Sequence, residues 1–238
     1  MKTYGLIGKN ISYSFSRNYF NNKFNKESIL NTQYINFDID NLSELNLLFK
    51  DKYQGFNVTI PYKEAIIPYL DELDIHAEKI GAVNTIKIEN EKKIGYNTDW
   101  IGFKKSIATL LEVHHTKALI LGTGGASKAV IYALEQLQIE TLLVSRSGKT
   151  TYNDLSEDII QNHKIIINCT PLGTFPNTET APKIPYKLLT NNHLAYDLVY
   201  NPAETLFLKN CKKQGATIKN GWEMLQIQAE EAWKIWNS

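Results

Sequence analysis

Two short stretches of glycine and hydroxyl residues carry the most readable chemistry in this chain. Gly122-Thr123-Gly124-Gly125-Ala126-Ser127 lies between the apolar run 118–121 and a helical pattern over 126–137. A glycine loop that ends a buried strand and opens a helix presents backbone N–H groups and the positive helix end to an anion, as in dinucleotide pyrophosphate binding. Gly122 permits the tight turn, Gly124 lets the backbone approach the phosphates, and Ser127 is small enough for close packing where a third glycine is usual. About 20 residues further on, an NAD site would place an acid on the ribose 2′-hydroxyl. This chain has Ser145-Arg146-Ser147 there, with Lys149 behind. An arginine flanked by hydroxyls suits a dianionic 2′-phosphate, so the expected cofactor is NADP.

A second set of polar residues falls where apolar runs end, the position at which open α/β sheets assemble their sites. The groups are Ser14 and Ser16, Asn57 to Lys63, Gly81 to Thr85, and Asn97 to Asp99. Singly, each has an ordinary structural use: the serines as turn formers or caps, Thr59 in a strand, Asn84 in a turn, Asp99 as an N-cap. Their order along one chain is what carries information. His114 and His115 are adjacent and cannot share a helix face, and no carboxylate or cysteine lies at ligand spacing, so no metal site is expected. Cys169 and Cys211 are too few and too far apart for a disulfide framework, which fits a reducing, cytoplasmic setting.

The elements that must position these groups can be read from periodicity. In the first part, strands are expected over 4–8, 32–38 and 55–59, helices over 17–24, 62–70 and 74–80, and a hairpin over 85–97 turning at 90–92. In the strand over 32–38, Tyr34 falls on the polar alternation with Asn36 and Asp38. From Asp99 onward, helices over 99–111, 126–137, 204–214 and 222–236 alternate with Val/Ile/Leu-rich strands over 118–121, 141–144, 164–167 and 195–199. That alternation predicts a parallel sheet covered on both faces. The short, polar segment between Arg146 and Lys164 predicts a helix reduced to a turn. The chain has 238 residues, is 43% hydrophobic and 21% charged, and carries a formal net charge of +1, so it should fold as an ordinary globular protein. The balanced charge gives no field for nucleic acid, and no run of about 18 apolar residues calls for a membrane.

Taken together with Asn168-Cys169-Thr170-Pro171-Leu172-Gly173, Asp197-Leu198-Val199-Tyr200 and the stretch from Gly221 to Ala229, these motifs closely resemble shikimate dehydrogenases, from Ser14 to Gln228. The resemblance implies an α/β protein with an N-terminal substrate domain over 1–98, completed by a C-terminal helix over 221–238. A Rossmann-like NADP-binding domain over 99–220 and a cleft between the two are implied as well. By the same resemblance Lys63, the lysine of the family's NVTxPxK motif, and Asp99, of its NTD motif, are the catalytic pair. The chemistry agrees, because reducing a ketone develops negative charge on oxygen that Lys63 can protonate while Asp99 orients the ammonium. Ser14 and Ser16 are implied for the substrate carboxylate, Thr59, Asn84, Asp99 and Gln228 for its hydroxyls, and Tyr200 for closing the pocket. Cofactor contacts are implied for Gly122, Thr123, Gly124, Gly125, Ala126, Ser145, Arg146, Ser147, Leu198 and Gly221.

The implied activity is an NADP-dependent oxidoreductase interconverting 3-dehydroshikimate and shikimate, on the route to chorismate and the aromatic amino acids. The expected partner is a small molecule, with no nucleic acid and no membrane, in a monomer or homodimer. The alternatives are a quinate/shikimate dehydrogenase using NAD or NADP and a non-catalytic NADP-binding sensor of the same fold. The family's Ser-x-Ser-Pro-x-x-His-Asn reads Ser14-Phe15-Ser16-Arg17-Asn18-Tyr19-Phe20-Asn21 here, so Arg17 and Phe20 replace its proline and histidine.

Overall fold

The computed structural model describes residues 1–12, 14–49 and 52–238, without the side chains of residues 46 and 47. The chain divides into two compact units, residues 1–98 with 228–238, and residues 99–227. In chain order the first unit contains β1 (Lys2–Gly8), α1 (Phe15–Lys26), β2 (Thr32–Asp38), α2 (Leu45–Leu48), β3 (Gly55–Val58), β4 (Glu72–Leu73), α3 (Ile75–Ile80), β5 (Thr85–Glu89) and β6 (Lys92–Tyr96). The second contains α4 (Asp99–Ala108), β7 (Lys117–Leu121), α5 (Gly125–Glu135), β8 (Glu140–Val144), α6 (Glu157–Asn162), β9 (Ile165–Asn168), β10 (Leu194–Asp197), α7 (Leu206–Lys212) and β11 (Thr217–Lys219). The last helix, α8 (Trp222–Asn237), contains the division between the units at Gln228.

The first unit's sheet has the strand order β2-β1-β3-β5-β6-β4. β1 pairs in parallel with β2 and β3, whereas β5 pairs antiparallel with β3 and β6. The central position of β1 explains why its residues from Thr3 to Gly8 are all buried. Successive side chains point to opposite faces: Tyr4 and Leu6 join a core with Phe20, Phe24, Ala232 and Trp236, while Ile7 joins one with Phe56, Val58 and Ile86. Asn90 and Glu91, at φ 50° and 66°, make the two-residue turn expected between β5 and β6.

The helix expected over 62–70 does not form. Only a 3-10 turn, Ile67–Tyr69, appears there, and Pro68, which lacks an N–H, cannot make the bond that would carry an α-helix through it. The Lys63 carbonyl is also already engaged, accepting from the Val83 N–H at 2.7 Å. Tyr34 is buried at 1% exposure instead of lying on a polar face. The short strands β4 and β11 were not legible in the periodicity, being two and three residues long.

The second unit's sheet runs β11-β10-β9-β7-β8, parallel throughout, with helices on both faces as expected. Ala118, Ile120, Ile165 and Ile167 pack with Phe103, Val130 and Leu134, whereas Leu119, Leu121 and Ile166 pack with Ile160, Phe207 and Leu208. α4 and α5 therefore cover one face, and α6 and α7 the other. In the segment 146–164 a six-residue helix, α6, survives where only a turn was expected, started by the Ser156 side chain accepting from the Ile159 N–H.

Candidate active site

In the first unit, hydrogen bonds hold the two serines together and link Tyr34, Asn57, Asn84, Thr98 and Gln228. Ser14 caps α1, its hydroxyl accepting from the Ser16 N–H at 3.1 Å. The Ser16 side chain opposes the upward push on the Tyr34 phenol, and the phenol's own proton goes to Asn57 Oδ1 at 2.7 Å. Asn57 Nδ2 then reaches the Asn84 carbonyl at 3.2 Å and Thr85 Oγ1 at 3.1 Å. Asn84 closes the chain: its Oδ1 accepts from the Thr98 N–H at 2.7 Å, and its Nδ2 donates to Thr98 Oγ1 at 3.0 Å and to Gln228 Oε1 at 3.4 Å. Tyr34, buried, has its phenol held well above the usual range by desolvation, against a small opposing pull from Ser16.

Sequence reasoning missed Tyr34 as the hub of this chain. Its partner Asn57 lies 23 residues away, and Ser16, which acts on its phenol, 18, beyond any local pattern. Three further contacts fix it. Asn21 clamps its backbone, with Asn21 Nδ2 donating to the Tyr34 carbonyl at 2.9 Å and Asn21 Oδ1 accepting from its N–H at 3.0 Å. Phe20 stacks on its ring at 4.6 Å between centroids and 15° between planes. Phe20, fully buried, thus takes the histidine's place in the serine motif as part of the core. Thr59 and Lys63 sit on the turn after β3, where Thr59 N–H bonds the Ile7 carbonyl and the Thr59 carbonyl accepts from Tyr62 N–H, both at 2.9 Å. Asp99, buried, is the first residue of α4 in the second unit.

The cofactor-side residues gather at the C-terminal ends of β7, β8 and β10, together with the residue that precedes α8. Gly122 has φ +108°, a conformation few L side chains adopt, and a Cβ there would meet Thr170 Cγ2 at 2.9 Å. α5 follows at once with Gly124 as its N-cap, and a Cβ built on Gly124 would meet nothing within 4 Å. Thr123 and Gly124 are exposed, so the first N–H groups of an eleven-residue helix face open space, which fits a pyrophosphate. Ser145 is held by its N–H bond to the Thr150 carbonyl at 3.1 Å, leaving Arg146 and Ser147 exposed at the tip of a tight loop. Leu198 N–H bonds the Asn168 carbonyl at 3.0 Å, and the Leu198 carbonyl packs so closely on Gly221 that any Cβ at 221 would collide with it. Tyr200 lies near Trp222, ring centroids 6.1 Å apart.

Among the described residues no group of three or more His, Cys, Asp or Glu side chains could hold a metal ion, and no helix is long and apolar enough to cross a membrane. Cys169 and Cys211 are free thiols.

The chain as a whole is similar to known proteins. Residues 6–86 match the family model described as the shikimate dehydrogenase substrate binding domain. A Clostridium botulinum shikimate dehydrogenase (NADP(+)) is 40% identical over 99% of this chain and 96% of its own length. The crystal structure of the Aquifex aeolicus shikimate dehydrogenase superposes with a TM-score of 0.89 at 39% identity, covering 100% of this chain and 92% of that one. A Thermus thermophilus shikimate 5-dehydrogenase, solved in complex with NADP(H) and shikimate, gives a TM-score of 0.88 at 27% identity over 99% and 93% of the two chains.

Proposed function

The chain belongs to the shikimate dehydrogenase family, and from that premise we propose that it interconverts 3-dehydroshikimate and shikimate with NADP as cofactor. The observation that carries the reading is the run of hydrogen-bonded neutral side chains from Tyr34 through Asn57 and Asn84 to Gln228, beside the capping serines Ser14 and Ser16. Neutral side chains held in fixed orientation suit a substrate whose recognition depends on several hydroxyls, because each can donate or accept without a desolvated charge. In this reading the substrate domain is 1–98 with the helix over 221–238, and the cofactor domain is 99–220.

NADPH, when bound, supplies the hydride. Lys63 places its ammonium Nζ at the carbonyl oxygen, where negative charge develops, and delivers the proton that completes the hydroxyl. Asp99 orients that ammonium and shares the proton. Ser14 and Ser16 take the carboxylate, Thr59, Asn84, Asp99 and Gln228 take the hydroxyls, and Tyr200 closes the pocket. Gly122 to Ala126 receive the pyrophosphate at the start of α5, Arg146 with Ser145 and Ser147 takes the 2′-phosphate, and Leu198 and Gly221 line the remainder. The free thiols fit a cytoplasmic setting.

The test is the rate of cofactor reduction with shikimate and with quinate, each against NADP+ and NAD+. Turnover should be fastest with shikimate and NADP+. A preference for quinate or for NAD+ would move the protein to the sister activity, and tight NADPH binding without turnover of either acid would leave it a sensor.

A further inference from the structure

Among the groups the mechanism leaves unused is the carboxyl of Asp197 at the end of β10, which is 0% exposed. Its bonded partners are three neutral donors. Oδ1 accepts from Asn168 Nδ2 and from the Val199 N–H, both at 3.0 Å, and Oδ2 accepts from Thr205 Oγ1 at 2.5 Å. The Thr205 oxygen also accepts from Leu208 N–H at the start of α7, so its proton is directed at Asp197. Asn168 Oδ1 in turn accepts from Thr170 N–H at 3.0 Å and Thr170 Oγ1 at 2.6 Å. Thr170 is the residue against which Gly122 packs, and Leu198, next to Asp197, is the residue against which Gly221 packs. One carboxylate therefore ties the loop after β9 to the loop after β10, and through their contacts reaches both glycines.

We infer that Asp197 is a positioning residue for the cofactor, its ionised carboxylate fixing the spacing of Gly122, Leu198 and Gly221. The inference rests on the reading that those residues bind NADP. Acceptor chemistry singles out the carboxylate. Three donors converge on it, and an amide or a protonated acid would reverse the bond to Thr205, whose hydroxyl would then have to accept instead of donate. Stability does not account for the group, since burial penalises its charge and pushes the carboxyl up to about 6. The titratable groups that share its surroundings are Cys169, Cys211 and Tyr186, each pushed upward by burial and hence neutral over the same range.

The experiment compares wild type with Asp197→Asn in NADPH binding and in thermal melting. At pH 8 the variant should bind NADPH roughly tenfold more weakly while melting no lower than wild type, a split that a merely structural role would not give. Between pH 8 and 5.5 wild type should lose more affinity than the variant. The 2′-phosphate titrates identically in both measurements, so the difference belongs to residue 197. Affinity within twofold of wild type at pH 8 would overturn the inference, as would a fall in melting temperature that tracks the fall in affinity. Should Asp197→Asn fail to fold, Thr205→Val withdraws one donor and leaves the carboxylate: several-fold weaker binding supports the inference and unchanged binding overturns it. Wild type that bound no NADPH would instead remove the cofactor reading beneath it.

Discussion

In the first unit, hydrogen bonds join the neutral side chains of Tyr34, Asn57, Asn84 and Gln228, whereas the second unit's cluster is organised around the buried carboxylate of Asp197. Each has a buried centre, Tyr34, Asn84 and Thr98 in the first and Asn168, Asp197 and Thr205 in the second, with half-buried members around it. The difference follows from what each must meet. Neutral amides and hydroxyls can be buried at little cost when paired, and they keep enough donors and acceptors to recognise a polyol. The second unit faces a polyanion, which it can meet with backbone N–H groups and an exposed arginine. Its buried charge is left to fix loops. A site for a neutral pattern of hydroxyls can be built from side chains alone, and a site for phosphates from backbone that side chains hold in place.

If that division is right, the largest single loss should come from Lys63, the cation assigned to the reacting oxygen. Lys63→Ala should lower kcat by about 10²–10³-fold, the usual scale of a general acid, with the KM for shikimate changing by only a few-fold. Steady-state kinetics at saturating NADP+ checks it, and a variant that lost KM while keeping kcat would make Lys63 a binding group.

Asn84→Ala comes next, and it breaks the neutral cluster at its most connected point. The variant strands the buried Thr98 N–H, which donates to Asn84 Oδ1, and removes the donor to Gln228. Leaving a buried donor unmet costs about 1–3 kcal/mol. The expected result is a melting temperature lower by several degrees together with a shikimate KM raised by at least tenfold, while NADPH affinity stays at the wild-type value. Arg146→Ala probes the other unit with a smaller effect. Loss of one charge-assisted contact to phosphate, about 1.5–3 kcal/mol, should raise the KM for NADP+ at least tenfold and leave that for NAD+ unchanged. An equal rise for both would show that Arg146 supports the loop instead of reading the 2′-phosphate.

The two units also differ in how far the sequence revealed them. The doubly wound sheet was legible because buried parallel strands write continuous runs such as Ala118 to Leu121, and because a glycine loop between strand and helix has few other uses. The serine, Asn84 and Gln228 positions were legible as ordered motifs. Their linkage through Tyr34 was not, since periodicity assigns a face and the side chain's burial came from α1, whose Phe20 and Asn21 grip it from another part of the chain. Asp197 stood in plain sight within a motif, yet nothing in the spacing disclosed that Asn168, 29 residues upstream, and Thr205, eight downstream, converge on it. The false helix over 62–70 is the converse case, an apolar periodicity overruled by a single proline.

The comparison predicts opposite pH dependences for the two units, the smallest effect and the sharpest in sign. In the first unit, burial alone would raise the Glu230 carboxyl, but the Tyr19 hydroxyl bonded to it and the Lys23 ammonium at 2.9 Å outweigh burial and hold it below its usual range. Its folded value is depressed, so its contribution is present above the unfolded value and is lost as pH falls. Asp197 is raised from 3.8 to about 6, so its contribution is full below the unfolded value and lost as pH rises through about 6. A shift of about two units is roughly 3 kcal/mol, from which Asp197→Asn forfeits about 1 kcal/mol of hydrogen bonding. That variant should therefore gain about 1–2 kcal/mol over wild type at pH 8 and nothing at pH 4. Glu230→Gln, on a partly exposed pair, should lose about 0.5–1 kcal/mol at pH 8 and less as pH falls. Melting curves of the two variants at both ends of the range decide the matter. The same sign for both would mean that the buried carboxylate of Asp197 is stabilised by its three donors as fully as Glu230 is by its cation, and the contrast between the units would fall.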